Sequence, residues 1–376
     1  MTQIFLVRHG EAEGNLYRRA QGHNDTNLTP AGREQAAALY PRFAGIELAA
    51  AYASDLRRAR DTARAALGDR PVPLRTEPRL REMCFGVWED RPWGAIDREN
   101  MEQKTRLFTD PDRWHVPGGE AAAAVQDRME AALRDIGQRH EGGAVLCASH
   151  GMAIRLLLAR LRGVPSAEIH RVILPGNTAV ALIRYENGTL TPVYDNDVSH
   201  LPEPPAPPVR AVSEKEAKDG CDLWFEPFDV RKGRELYLRC YQDAWRQAHG
   251  DLQGFDPEAC WRGALVRAGD SPAALTAARR GEDFAGVLAL DERRGAGQGI
   301  GWIAFLYVIP ELRRRRCGAQ LMGEAVARFR SLGRRAVRLT VARGNPALEF
   351  YKRIGFVSVG TEPGAVEPLL LMELRL

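Results

Sequence analysis

Two α/β domains are predicted, the first with a mostly parallel sheet and the second with a mixed one, and three features of the sequence predict them. The chain has 376 residues, more than the roughly 100–200 residues usual for one domain. A proline-rich stretch, HLPEPPAPPVR at residues 200–210, reads as a stiff extended connector. On either side, short apolar runs alternate with stretches of helical periodicity, in a different order in each half. The expected organisation is therefore a domain over 1–199, a connector over 200–210 and a second domain over 211–376.

In the first half, QIFLVRH is an apolar run ending at His9. TPAGREQAAALYPRF follows with a Thr cap, an early Pro and helical periodicity. AAAYAS reads as a strand and DLRRARDTARAAL as a helix. AVLCASH is a second buried strand, ending at His150, and MAIRLLLARLRG is the helix after it. Two apolar strands that each deliver a His at the C-terminal end suggest a parallel sheet, in which ligands bind beyond the carboxyl ends of the strands.

The second half opens with the strand candidate LWFEPFDV. Helices are expected from Arg231 to about His249 and near 257–268. FAGVLALDE and GWIAFLYVIP read as strands of a meander. A basic helix at about 316–332, the strand AVRLTVAR, the helix PALEFYKRIG and the strands FVSVGT and EPLLLMELRL complete the order.

Composition narrows the class. With 44% hydrophobic and 27% charged residues, the chain has the balance of a water-soluble globular protein. A net charge of +4 is small for this length and gives no argument for nucleic acid. No apolar run reaches the roughly 18 residues a membrane span needs, so no membrane partner is expected. The N-terminal MTQIFLVRHG enters a strand pattern at once and lacks a signal-peptide layout. Cys84, Cys147, Cys221, Cys240, Cys260 and Cys317 form no CxxC pair, which suggests neither a disulfide framework nor a zinc site. A cytoplasmic location is the expectation.

Taken alone, His9 is an ordinary imidazole at the end of a strand. Its candidate partners change that. A phosphoryl group carries negative oxygens that need several cations or donors around one point. Arg8 adjoins His9, Arg58 lies at a strand-to-helix turn, and His150 ends the second apolar strand. Glu82 precedes a loop with Gly86 and Trp88. His23 and Arg81, close to these stretches, read as surface residues.

Six stretches in order resemble the histidine phosphatase superfamily, the phosphoglycerate-mutase-like proteins. They are RHGEAEGN, QGHNDTNLTPAGREQA, SDLRRARDTA, LREMCFGVWE, GGEA and SHG. The match runs through most of residues 3–195. It implies a three-layer α/β/α domain and a phosphatase that needs no metal, with a small-molecule phosphoester as substrate. His9 would attack phosphorus and carry a transient phosphohistidine. Arg8, Asn15, Arg58 and His150 would hold the equatorial oxygens, and Glu82 would serve as general acid and then base. Ala12 and Ala121 stand where the family often has a hydroxyl. The 90–120 segment is short for a true phosphoglycerate mutase, which favours hydrolysis over the mutase alternative.

In the second half, YVIPELRRRRCGAQLMGEA carries four consecutive Arg. Such a run reads first as a solvated helix face, a nucleic-acid patch or a localisation signal. It also follows a strand and opens a helix, a turn whose free amides can wrap a pyrophosphate. Together with ARGNPALEFYKRIGF it resembles the GNAT acetyltransferases. The resemblance implies acetyl-CoA as cosubstrate and an unidentified amine as acceptor. Val308 would contact pantetheine through its backbone. Amides from Arg313 to Ala319, including Arg316, Cys317 and Gly318, would hold the pyrophosphate. Asn345 would help position the cofactor, and Tyr351 would protonate the departing thiolate. Arg316 replaces the family's first loop glycine, which puts turnover in question. A phosphatase whose second domain only senses acyl-CoA is the alternative.

Overall fold

The computed structural model describes residues 1–202 and 222–376, so residues 203–210 of the expected connector and the first residues after it lie outside the described residues. The chain divides into two compact units. One holds most of the first half. The other holds the second half together with Leu16–Arg19 and Pro92–Arg98.

The elements of the first half are β1 (Thr2–Arg8), α1 (Glu13–Tyr17), α2 (Pro30–Ala37), α3 (Leu39–Arg42), β2 (Leu48–Ala53), α4 (Arg57–Leu67) and β3 (Leu74–Thr76). They continue with α5 (Trp93–Thr109), α6 (Ala122–Arg139), β4 (Ala144–Ser149), α7 (Gly151–Leu161), β5 (Val180–Glu186) and β6 (Thr189–Asp197). The six strands form one sheet in the order β3-β2-β4-β1-β5-β6. Strands β1 to β4 run parallel, and β5 and β6 add an antiparallel hairpin at one edge. The two-residue alternation of β1 assigns its faces: Phe5 and Val7 pack with Ala59 and Ala63 of α4. Helices α6 and α7 also pack on β1, giving the three-layer α/β/α arrangement. The expected cap of α2 is present, with Thr29 Oγ1 accepting from Gly32 N at 3.0 Å and Pro30 in the first turn.

The second half comprises β7 (Trp224–Pro227), α8 (Arg234–His249), α9 (Pro257–Asp270), β8 (Leu275–Arg280), β9 (Asp283–Asp291) and β10 (Ile300–Val308). Then come α10 (Cys317–Ser331), β11 (Ala336–Val341), α11 (Ala347–Arg353), β12 (Val357–Glu362) and β13 (Leu369–Arg375). The sheet order is β12-β13-β11-β10-β9-β8-β7. Strand β8 was not expected; its run LTAARR ends in two Arg and lacks the apolar signal of its neighbours. All pairings are antiparallel except β10 with β11. That parallel pairing covers only Ile300–Trp302 against Ala336–Arg338, so the rest of β10 runs on without β11 beside it. Residues of α8 and α9 bury one face of the sheet through Phe305 and Tyr307. Those of α10 and α11 bury the other through Ile303 and Val308.

Among the described residues no helix is long and apolar enough to cross a membrane. Cys84, Cys147, Cys240 and Cys260 are free thiols, whereas Cys317 is in a disulfide. The scattered spacing gave no hint of that bond.

Candidate active site

The register of the parallel pair β1–β4 builds the centre of the first unit. Arg8 lies opposite Ser149, so the next residue of each strand, His9 and His150, leaves the same end of the sheet side by side. Their ring centroids are 5.2 Å apart. Both rings are buried. His9 Nδ1 is 2.7 Å from the Gly10 carbonyl. A carbonyl can only accept, so Nδ1 carries the proton and Nε2 keeps its lone pair. Burial, and then the guanidiniums of Arg58 and Arg8, hold the His9 ring well below the ordinary imidazole range, against a smaller upward pull from the Gly10 carbonyl. His150 is lowered in the same way by burial, Arg58 and the His9 ring.

Arg58 sits in the first turn of α4 and is almost fully buried. Its Nη1 and Nη2 donate to Asn24 O at 2.8 Å and Gly22 O at 2.7 Å. Burial lowers its pKa to about 10 despite the opposing charge of Glu82. Arg8 reaches Pro175 O through Nη1 at 2.5 Å and lies over Gly151, where an added Cβ would come within 3.2 Å of Nε. Arg8 Nε, Arg58 Nε and both ring nitrogens of His150 are buried without hydrogen-bond partners among the described residues. Buried polar nitrogens left this way cost about 1–3 kcal/mol each. A cluster of them with two cations has the chemistry of an anion site.

Glu82 is also buried. Its Oε1 accepts from Met83 N at 2.9 Å and Ala153 N at 2.8 Å, and Oε2 from Met152 N at 3.1 Å. The carboxylate thus caps the N-terminus of α7, one turn from His150. Asn15 uses its Oδ1 on Ala12 N at 3.0 Å and on Asn177 Nδ2 at 3.4 Å, so only its own Nδ2 is left to meet a phosphate oxygen.

Several residues of this site were not singled out from the sequence. Gly10 N donates to Thr62 Oγ1 at 3.0 Å. Asn177 Nδ2 and Thr178 N both donate to the His9 carbonyl, at 3.1 Å and 3.3 Å. His23, expected at the surface, is half-buried and its Nε2 donates to Glu82 O at 2.8 Å. Arg81, also expected at the surface, is half-buried as well and pairs with Asp55. Among the described residues, His23, Cys84 and Glu89 are the one group that could hold a metal ion, with ligand atoms within 4.8 Å of one another. Glu89 Oε1 already accepts from His23 N at 2.8 Å and Cys84 Sγ at 3.3 Å.

The second unit supplies a different geometry. Ile309 N donates to Ala285 O across β9, and antiparallel bonding alternates along a strand. The backbone of Val308 therefore faces away from β9, toward the side where β11 has diverged. Its carbonyl accepts from Arg313 Nε at 3.0 Å, which leaves its N–H. Arg313 N donates to Pro310 O at 3.2 Å and is thus engaged before any ligand arrives. Arg314 and Arg316 both have positive φ, 60° and 62°, and Arg316 precedes the first turn of α10. The loop takes the left-handed backbone a glycine would have made easy. Cys317, Gly318 and Ala319 open α10, a turn whose amides have no intrahelical acceptor.

Asn345 lies in the turn just before the next helix, and Tyr351 sits on that helix. Asn345 Oδ1 accepts from Ala347 N at 2.9 Å and caps α11. Tyr351 is buried among Phe350, Phe356 and the core of this face, and burial pushes its hydroxyl up to about 12.

Comparison with known proteins finds a family for each half. The family model of the histidine phosphatase superfamily (branch 1) matches residues 4–198, and that of the acetyltransferase (GNAT) family matches residues 230–356. Probable phosphoglycerate mutase GpmB of Enterobacter sp. (strain 638) is 32% identical over 210 residues, covering 54% of this chain and 97% of the relative. Its namesake from Yersinia enterocolitica serotype O:8 / biotype 1B (strain NCTC 13174 / 8081) is 34% identical over 186 residues, covering 50% and 86%. The solved structure of Bacillus stearothermophilus YhfR has a TM-score of 0.52 and 34% identity, and the match covers 53% of this chain and 99% of that one. The chain belongs to the histidine phosphatase superfamily and carries a GNAT-family domain in its second half.

Proposed function

We propose that the first domain hydrolyses small phosphomonoesters through a phosphohistidine on His9, and that the second transfers an acetyl group from acetyl-CoA to an amine. The observation that carries the first reading is the buried cluster of Arg8, Arg58 and His150 with unpartnered nitrogens beside the His9 ring. The neutral His9 Nε2 attacks phosphorus, forming the P–N bond as the ester P–O bond breaks. Glu82 in its protonated form gives its proton to the leaving oxygen. Water then attacks phosphorus, Glu82 takes a proton from it, and the P–N bond breaks to release phosphate and restore His9. Arg8, Arg58, Asn15 and His150 hold the non-bridging oxygens as charge redistributes.

A phosphoester panel in EDTA tests this against His9→Ala. The expectation is phosphate release by the wild type and its loss in the variant, together with acid-labile phosphate on the wild-type protein. Equal release by both would refute the phosphohistidine. The GpmB relatives are named probable phosphoglycerate mutases. Isomerisation of a phosphoglycerate without net phosphate release would favour that reading over hydrolysis.

For the second domain, the free side of Val308 and the left-handed turn at Arg316 support a pantetheine and pyrophosphate track along β10 and into α10. Bound there, acetyl-CoA supplies the activated acyl group. Tyr351 keeps its proton at neutral pH and serves as donor to the sulfur. Transfer to a panel of amines, with Tyr351→Phe as control, is the test. Affinity for acetyl-CoA without transfer to any amine would support an acyl-CoA sensor instead.

A further inference from the structure

We propose that Arg128 is a positioning residue for Glu82, and that Glu120 of the Gly118-Gly119-Glu120 stretch acts on the reaction by orienting Arg128. The inference rests on the phosphatase reading, since it concerns how that domain's acid is held.

Residues 79–82 cross the site with every carbonyl accepting from a side chain. Arg128, on α6, donates from Nη1 to Arg79 O at 2.8 Å and to Arg81 O at 2.7 Å, and from Nη2 to Glu82 O at 2.9 Å. Ser149 Oγ donates to Leu80 O at 2.8 Å, and His23 Nε2 gives Glu82 O a second bond. The two remaining donors of Arg128 go to Glu120, Nε to Oε1 at 2.7 Å and Nη2 to Oε2 at 2.9 Å. All five N–H donors of the guanidinium are used. Glu120 is tied in turn to the acid's own loop, with Cys84 N donating to its Oε2 at 3.2 Å and Glu120 N donating to Cys84 O at 3.0 Å.

Only a planar fork can make this set. A Lys at 128 keeps the charge but has three donors at one point and cannot span three carbonyls and a bidentate carboxylate. The Glu82 carboxylate is held by amides of α7 while its backbone is held by Arg128, so the two ends of one residue are fixed by different elements. Loosening the backbone end moves the carboxyl relative to the leaving oxygen. A misplacement of about 1 Å can cost on the order of 10²-fold in rate.

The test is a leaving-group split in kcat/KM, which reports phosphoenzyme formation. From p-nitrophenyl phosphate the p-nitrophenolate departs without help from an acid, whereas an alkyl phosphate such as glycerol phosphate needs a proton on its leaving oxygen. Glu82→Gln sets the reference and should lower the alkyl reaction by about 10²-fold or more relative to the aryl one. Arg128→Lys and Glu120→Gln should shift the same ratio by about tenfold, and Arg128→Lys should add nothing to the ratio in the Glu82→Gln background. Glu120→Gln is nearly isosteric and decides the matter if the Arg128 variant does not fold. Equal losses on both substrates, or no loss on either, would overturn the proposal while leaving the phosphatase reading intact. A Glu82→Gln protein with no leaving-group selectivity would overturn both.

Discussion

The buried imidazoles make a quantitative prediction about stability and pH. His9 and His150 are both held well below their ordinary range by burial and by the neighbouring guanidiniums. In the unfolded chain each ring takes up a proton near the ordinary value of about 6.5, whereas in the folded domain each stays neutral. The unfolded state then binds more protons below that pH, so stability is highest above about 6.5 and falls as the pH drops. Between pH 7.5 and 5.5 a ring that stays neutral in the fold forfeits about 1.4 kcal/mol, which makes about 2.7 kcal/mol for the pair. His150→Asn removes one of the two protons and should flatten the pH dependence by about 1.4 kcal/mol over that interval. Hydrogen-exchange mass spectrometry of β1 and β4 peptides reads the opening of this domain alone, which whole-chain melting of a two-domain protein does not. His140 and His200 are also lowered, but they contribute equally to both proteins and cancel in the difference. A difference below about 0.3 kcal/mol between the two proteins would refute the claim that His150 is neutral in the fold.

Two further outcomes are expected. Asn177→Ala removes one of two donors to the His9 carbonyl, worth about 1 kcal/mol, and should lower kcat/KM for phosphoester hydrolysis by about fivefold; an unchanged value would show that Thr178 N suffices. Arg316→Gly relieves a left-handed Arg at a gain of about 1 kcal/mol, seen as slower hydrogen exchange in β10 and α10 peptides. Because the loop already has the glycine-like shape, acetyl-CoA affinity by titration should stay within about threefold, or roughly 0.7 kcal/mol. Loss of binding would mean that the guanidinium itself holds the cofactor.

The side chains to which the proposal assigns chemistry were legible where each ends or opens an element. His9 and His150 each follow an apolar strand and Arg58 lies in the first turn of a helix, so periodicity placed them at element ends, and the resemblance to the family's motifs grouped them. The supporting residues were not legible, for a physical reason. Arg128 and Asn177 act on backbone carbonyls, and a carbonyl looks the same whatever residue carries it. Nothing in the letters at 79–82 or at position 9 says that a distant side chain will be needed there. The divergence of β10 from β11 was hidden likewise, since it lies in where pairing stops and not in which residues pair.

The same distinction bears on two positions of the second domain. Asn345 matches a motif by residue type, yet the same amide oxygen satisfies a helix cap, so type alone assigns no partner. Arg316 fails a motif by residue type, yet takes the backbone conformation for which glycine is favoured. What the loop requires is a positive φ; glycine is the least costly way to meet it, and an Arg held by the strand before it and the helix after it meets it at about 1–2 kcal/mol. The space a side chain takes is a separate matter, and on conformational grounds alone a departure from a motif counts against the loop only when the substituted residue cannot reach that backbone. At Arg316 it can.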